Sequence, residues 1–105
     1  ALPLALYAVD RGRLSLDRLI DLMHRNPLRV YGLCAPPDSR VALDLGEPYR
    51  LPFEGYRTRC GWSPFVDQWA LGRVRRVRLR GQVVYEEGQV LAEPGDGRAL
   101  ARVAV

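Results

Sequence analysis

The chain has 105 residues, a formal net charge of +4 and a hydrophobic fraction of 48%. This length allows one small domain or a part of a larger one, and the hydrophobic content is too high for a disordered chain. No apolar run approaches the ~18 residues of a membrane span, and the short apolar start lacks the positive leader of a secretory signal.

The first 33 residues carry helical patterns. The run 2–9 has apolar residues on almost every face, which predicts a helix that is buried all round. Ser15 is suited to cap a second helix, whose apolar residues recur at i, i+3, i+4 and i+7 as one stripe. The stripe consists of Leu16, Leu19, Ile20 and Met23. Asn26 and Pro27 predict an interruption and a restart as a short helix, which Gly32 ends.

The region 34–72 is predicted to be an irregular connection that is interrupted by prolines and glycines, with one short alternating strand near 41–45. Towards its end lies an aromatic cluster, which consists of Trp62, Pro64, Phe65 and Trp69. Aromatic side chains dominate core and interface contacts. We therefore expect this cluster to pack in a core or against another domain.

The region 73–92 has the pattern of an antiparallel β-meander. Apolar and charged residues alternate towards the end of the run 72–80, which predicts a strand. A first tight turn is predicted at Gly81–Gln82 and a second at Glu86–Gly88, each followed by a shorter returning strand. Residues 93–105 have the composition of a weakly specified tail. The expected fold class is therefore α+β, with two or three helices followed by an antiparallel meander.

Few residues suit catalysis or metal binding. His24 is the single histidine, and all sixteen basic residues are arginine, so the chain contains no lysine. Near a helix C-terminus, His24 is favoured by the helix dipole, and Asp21 is the one carboxylate at helical spacing from it. We expect a capping or surface role for His24 and no catalytic or metal-binding residue. Cys34 and Cys60 come without a secretory signal, which favours free thiols over a disulfide and a reducing, cytoplasmic setting. They lack a C-x-x-C spacing, which argues against a structural zinc site.

A row of arginines is the strongest sign of a binding function. It consists of Arg73, Arg75, Arg76, Arg78 and Arg80. Such a row is able to bind phosphates, but acidic residues are interspersed along the chain and no known RNA- or DNA-binding signature accompanies it. This favours a solvated sheet face and argues against a nucleic-acid partner. A basic nucleic-acid-binding module that uses Arg76, Arg78 and Arg80 stays as the alternative.

Three segments together resemble the C-terminal part of a dihydroorotase, a cyclic amidohydrolase, and most of all the type fused in the animal multifunctional pyrimidine enzyme. They are RLSLDRLIDLMHRNPLRVYGL, WSPF and GRVRRVRLRGQVVYEEGQVL. The matching positions are Asn26–Pro27, Arg29–Leu33, Trp62–Phe65, Leu79–Gly81 and Tyr85–Leu91. The segment 66–71 departs from the family pattern, which has a glycine soon after the Pro-Phe pair. As a set, these motifs are fairly specific and cover most of the chain.

The resemblance implies a TIM-barrel amidohydrolase with a small β-domain. In that layout, residues 1–33 are closing helices of the barrel, 34–72 are the connection, 73–92 form the meander of the small β-domain, and 93–105 are the tail. The resemblance implies structural roles for matching residues of the helix, the loop and the turns. These are Asn26, Pro27, Gly32, Trp62, Pro64, Phe65, Gly81 and Gly88.

The implied reaction is the reversible cyclisation of N-carbamoyl-L-aspartate to dihydroorotate in pyrimidine biosynthesis, with zinc-bound hydroxide as the nucleophile of hydrolysis. The family's ligands are a His-x-His pair, a carboxylated lysine, further histidines and an aspartate. A chain with one histidine and no lysine does not supply that set. We therefore expect no zinc in this chain and no activity from it alone.

The resemblance also implies partners. These are the complementary N-terminal portion of the hydrolase and another pyrimidine-pathway enzyme, such as aspartate carbamoyltransferase. A non-catalytic scaffold for a partner enzyme is a further alternative. Hydantoinases and allantoinases share the architecture, so the exact cyclic amide stays open.

Overall fold

The computed structural model describes residues 1–103 and divides the chain into two compact units. The first unit combines Ala1–Leu16 with Leu45–Arg73, and the second combines Asp17–Asp44 with the chain from Val74 onward. Helices come first and antiparallel strands follow, so the predicted α+β class with an antiparallel sheet is confirmed. No helix within residues 1–103 is both long enough and apolar enough to span a bilayer.

The first unit is built on helix α1, Leu2–Asp10, and a two-stranded antiparallel sheet. Strands β2, Tyr49–Arg50, and β3, Trp69–Ala70, form that sheet. Both strands lie in the region 34–72, which was predicted to be irregular here. With two residues each, they are too short to show a period in the sequence. The N–H of Leu71 donates to the carbonyl of Pro3 at 2.9 Å, which ties the chain after β3 to the start of α1.

The predicted all-round burial of α1 is wrong for this chain. Among its residues only Leu6 is buried, while the apolar residues around it remain half-exposed. Ala70 and Leu71 complete the small core of the first unit, and the ring of Tyr7 stacks on that of Trp69 at 6.2 Å between centroids. Within residues 1–103, the helix therefore buries only the side that carries Leu6, and its other apolar side chains are only partly covered.

The helical region after α1 runs without a break from α2, Leu16–Ile20, through a π-helical segment, Asp21–Arg25, into α3, Asn26–Tyr31. The predicted interruption at Asn26 is wrong, because this residue keeps right-handed helical angles, φ −67° and ψ −44°. Its N–H donates to the carbonyl of Asp21, five residues back. This wider turn accommodates Pro27, which has no N–H to contribute and whose ring crowds a regular α-helix.

Gly32 ends α3 as predicted. It adopts left-handed angles, φ 61° and ψ 43°, which cost glycine little because it lacks a Cβ. The N–H of Leu33 then donates to the carbonyl of Leu28 at 2.8 Å, a bond typical of glycine-terminated helices.

The second unit contains a four-stranded sheet in the order β1-β4-β5-β6. Its strands are β1, Arg40–Asp44, β4, Arg73–Leu79, β5, Gln82–Glu86, and β6, Gln89–Val90. The last three form the predicted meander, with antiparallel pairs such as Val77 with Tyr85. Strand β1, which corresponds to the short strand expected near 41–45, lies beside β4 at one edge of the sheet.

Two-residue turns close both hairpins of the meander. Arg80 and Gly81 have φ angles of 48° and 81°, and Glu87 and Gly88 have 45° and 86°. Positive φ at both central residues is typical of the turn type that matches the twist of antiparallel strands. The first turn was predicted at Gly81 and Gln82, which is one residue too late, because Gln82 already pairs with Leu79 in the ladder.

The predicted tail folds back on the end of α3 over part of its length. The N–H of Cys34 donates to the carbonyl of Ala101 at 2.8 Å, and that of Val103 donates to Gly32 at 2.7 Å. The last two positions of this tail, 104 and 105, lie outside the described residues. The four-part division of the chain by role in a larger domain stays a prediction.

Gly88→Ala is expected to destabilise the protein by about 1 kcal/mol, because a Cβ disfavours left-handed φ angles. No atom lies within 4 Å of that Cβ, so the effect reports backbone strain alone. Gly97→Ala is the matched control, since this glycine has open space and no left-handed φ. Urea unfolding followed by circular dichroism measures both variants, and an equal loss of stability in the two would contradict the prediction.

Candidate functional site

The described part of the chain offers no metal centre. Within residues 1–103, no three His, Cys, Asp or Glu side chains lie close enough together to hold a metal ion. His24 is exposed in the last turn of the π-helical segment, beside a surface cleft of about 420 Å³ that Pro36, Val77 and Leu79 also line. Zinc takes about four nitrogen, sulfur or oxygen ligands in proteins. The residues present therefore do not fit zinc.

Arg75 lies at the centre of an ion-pair network on the sheet. Its guanidinium group is 2.9 Å from a carboxylate oxygen of Glu87 and 2.9 Å from one of Asp44. The hydrogen bonds that Arg75 donates to Glu87, the larger effect, and to Asp44 raise its pKa further above its usual range. The network joins β1, β4 and the second hairpin turn, although exposed pairs of this kind add little to stability.

Two more arginines of the row are paired with carboxylates. The Nε of Arg76 donates to Glu86, its cross-strand neighbour, at 2.9 Å. Arg78 lies 3.4 Å from Asp38. Phosphate binding depends on positive charge that is free to replace counterions, and these carboxylates reduce that charge. The nucleic-acid role of Arg76, Arg78 and Arg80 stays an untested prediction, and these ion pairs give it no support.

The aromatic cluster lies on the surface of the first unit. Trp62 is 61% exposed and Phe65 is 49% exposed, so these two rings are not part of a core within residues 1–103. Together with Leu4, Leu51 and Tyr56, these two side chains line an open groove of about 400 Å³. The hydroxyl of Ser63 accepts a hydrogen bond from the N–H of Phe65 at 3.1 Å, which fixes the loop between them. The sequence predicted that the cluster packs in a core or against another domain, and this exposure fits packing against another domain.

A second apolar surface lies on the helical region that follows α1. In the predicted stripe only Leu19 is buried, and Met23 is 48% exposed. Further along, Val30 and Tyr31 are 68% and 71% exposed. The periodicity located the apolar side chains. It did not indicate that they stay exposed within residues 1–103. The signal that could have indicated this is the ratio of apolar content to length, since a chain of this size has little interior.

The residues with predicted structural roles do not converge on one site. Asn26, Pro27 and Gly32 lie in and after α3, whereas Gly81 and Gly88 lie in the hairpin turns. Trp62, Pro64 and Phe65 belong to the loop that lines the groove. Their roles in a larger domain stay predictions.

Both cysteines are free and exposed. The Sγ of Cys60 lies 3.2 Å from the Oγ1 of Thr58 and 3.6 Å from the carbonyl oxygen of Trp62. The hydrogen bond with Thr58 is the main cause that lowers the pKa of the Cys60 thiol. Sequence reasoning did not identify this contact, because it depends on the turn that Gly61 closes onto Thr58.

Comparison with known proteins gives similarity over nearly the whole chain, although no family model matches it. The chain is 37% identical over 100 residues to multifunctional protein pyr1-3 of Dictyostelium discoideum, an alignment that covers 95% of the chain. It is 41% identical over 97 residues to multifunctional protein CAD of Squalus acanthias, covering 92% of the chain. In both cases the chain spans only 4% of the relative's length.

A solved structure gives the same result at the level of the fold. The inactive dihydroorotase-like domain of the Chaetomium thermophilum CAD-like multifunctional protein matches with a TM-score of 0.76 and 34% identity. The match covers 92% of this chain and 27% of that chain.

The helices, the meander and these matches define a dihydroorotase-like segment of the amidohydrolase class. Within that class, the chain is similar to the dihydroorotase region of CAD-type multifunctional proteins. The resemblance that the sequence motifs indicated is thereby confirmed.

Thr58→Val is expected to raise the pKa of Cys60 back towards that of an ordinary thiol, because it removes the hydroxyl that favours the thiolate. At a pH below the thiol midpoint, alkylation by iodoacetamide should therefore become slower. The pH profile of this reaction measures the change in a Cys34→Ser background, which leaves one thiol. Thr58→Ser keeps the hydroxyl and should keep the lower midpoint, so identical profiles for the two variants would contradict the role of Thr58.

Proposed function

We propose that this chain is the C-terminal structural part of a dihydroorotase-like hydrolase domain whose metal site lies on polypeptide outside this chain. The observation that carries the proposal is the pair of uncovered apolar surfaces, on the helices and at the aromatic cluster. The similarity supports it, because nearly the whole chain aligns with only about a quarter of the Chaetomium domain.

The exposure of the helices has a simple cause in this proposal. In the second unit, the exposed apolar residues Val30 and Tyr31 lie at the end of α3. In the first unit, the half-exposed apolar residues of α1 form a comparable surface. Contiguous exposed apolar surface usually marks a contact with other polypeptide. We assign these helices to the outer layer of a TIM barrel and the meander to a small β-domain that strands from the N-terminal portion complete.

The activity proposed for the whole domain is the zinc-dependent interconversion of N-carbamoyl-L-aspartate and dihydroorotate. This chain contributes packing surface and no ligand or catalytic group, because within residues 1–103 its single histidine belongs to no group of three metal-binding side chains. The cytoplasmic location expected from the sequence stays a prediction.

A second candidate is a domain that has lost catalysis and serves as a scaffold. The observation that favours it is that the matched Chaetomium domain is itself inactive. The two similar relatives are multifunctional proteins, which supports fused partner domains next to this one. We propose aspartate carbamoyltransferase as such a partner.

The purified chain is expected to bind no stoichiometric zinc and to hydrolyse no dihydroorotate. Mixing it with the N-terminal portion of the same domain should form a one-to-one complex, measured by size-exclusion chromatography with light scattering. Zinc content and turnover of that complex then separate the two candidates, since the scaffold forms the complex without turnover. Zinc-dependent turnover by the chain alone, or the absence of any complex, would overturn the structural proposal.

Val30→Asp is expected to weaken this complex by about tenfold or more, because a carboxylate that loses water at an apolar contact carries a large penalty. Isothermal titration calorimetry with the N-terminal portion measures the affinity. Unfolding of the isolated chain should change by no more than about 0.5 kcal/mol, since the side chain is exposed there. Val30→Ile keeps the apolar surface and serves as the control; equal affinity of both variants would exclude this face from the contact.

A further inference from the structure

A small polar pocket lies on the second unit, between the first hairpin turn and the segment that follows the meander. It has a volume of about 220 Å³. Its lining residues are Arg80, Gln82, Gly95, Asp96 and Arg98. Two arginines and one glutamine therefore line the same space, and the side chains of all three carry hydrogen-bond donors.

Arg80 is held in place from two sides. Its backbone N–H donates to the hydroxyl of Ser39 at 2.9 Å. In the same turn, the N–H of Gly81 donates to the carbonyl of Asp38 at 3.0 Å. Its Nη2 donates to the backbone carbonyl of Asp96 at 2.6 Å. The guanidinium group thus has a fixed position but faces a neutral acceptor, so its charge is not balanced by this contact.

The carboxylate of Asp96 stabilises the turn between Glu93 and Asp96. Its Oδ2 accepts the N–H of Glu93 at 2.8 Å, and the N–H of Asp96 donates back to the carbonyl of Glu93 at 3.1 Å. Within residues 1–103, neither Arg80 nor Arg98 has a carboxylate at ion-pair distance. This distinguishes them from Arg75, Arg76 and Arg78, whose charges are paired.

We propose that this pocket binds a small oxyanion of the phosphate type between the guanidinium groups of Arg80 and Arg98. Guanidinium groups bind phosphate and carboxylate oxygens through paired, charge-assisted hydrogen bonds. A water molecule takes about 30 Å³ of liquid, so the pocket has room for a phosphate together with several waters. Gln82 supplies a neutral donor at the rim. The pocket is open to solvent and Asp96 partly offsets the charge, so binding is weak, on the order of millimolar, and falls as salt is added.

The test is a titration of the full ¹⁵N-labelled chain with inorganic phosphate at constant ionic strength, followed through the amide signals of Gln82, Gly95 and Asp96. We expect saturable shifts, and we expect Arg80→Gln and Arg98→Gln each to weaken binding by about threefold or more. Arg29→Gln is the matched control, because it removes the same charge from an exposed arginine of α3 that does not line the pocket. Arg98→Gln decides the result if Arg80→Gln disturbs the turn.

A parallel titration with phosphoserine distinguishes the source of the anion. Tighter binding of phosphoserine than of phosphate assigns the pocket to a phosphorylated side chain, and equal binding assigns it to free phosphate. The proposal would be overturned by amide shifts that rise linearly with phosphate and do not saturate. It would also be overturned by an equal loss of phosphate affinity in Arg98→Gln and Arg29→Gln, because both results indicate general charge screening.

Discussion

The apolar side chains of this chain exceed the interior that its two units provide, and most features of the structure follow from this imbalance. Among residues 1–103, four hydrophobic residues are buried, whereas sixteen large ones are exposed. Burial of apolar surface is the main favourable contribution to folding, so side chains left in water represent stabilisation that is not used here. They are available for a contact with other polypeptide, which is how the helices and the aromatic cluster acquire their proposed role.

The meander is stabilised differently, and mainly by local features. Two turns with left-handed residues at Arg80–Gly81 and Glu87–Gly88 fix the register of the strands. The first turn sets Leu79 opposite Gln82, and an irregularity between Val77 and Arg78 then shifts the pairing so that Arg76 lies opposite Glu86. The ion pairs of Arg76 with Glu86 and of Arg75 with Glu87 therefore depend on this shift as well as on the turns. Exposed pairs add little stability, but they balance charge along the sheet.

Local features are also what the sequence alone could predict. The meander, the end of α3 at Gly32 and the dihydroorotase resemblance depend on short patterns of adjacent residues, and they were correct. The continuous helix through Asn26 was missed, because a proline normally interrupts a regular helix and a π turn leaves no mark in the periodicity. The burial of α1 was wrong because periodicity identifies an apolar face but not the partner that covers it. The Cys60–Thr58 contact and the pocket beside Arg80 depend on loop geometry, which no spacing rule specifies.

The distribution of charge separates the surfaces that can dock from those that remain in water. At the edges of the four-stranded sheet lie β1, which begins with Arg40 and ends with Asp44, and β6, which has only two residues. Short or charged edge strands resist unspecific pairing, which leaves these edges to the specific strands that we propose the N-terminal portion adds. The paired arginines likewise leave little net charge on β4. An apolar contact through the helices and the aromatic cluster is therefore compatible with a polar sheet. Beside that sheet, the guanidinium groups of Arg80 and Arg98 have no carboxylate at ion-pair distance within residues 1–103, so their charge is available to a ligand.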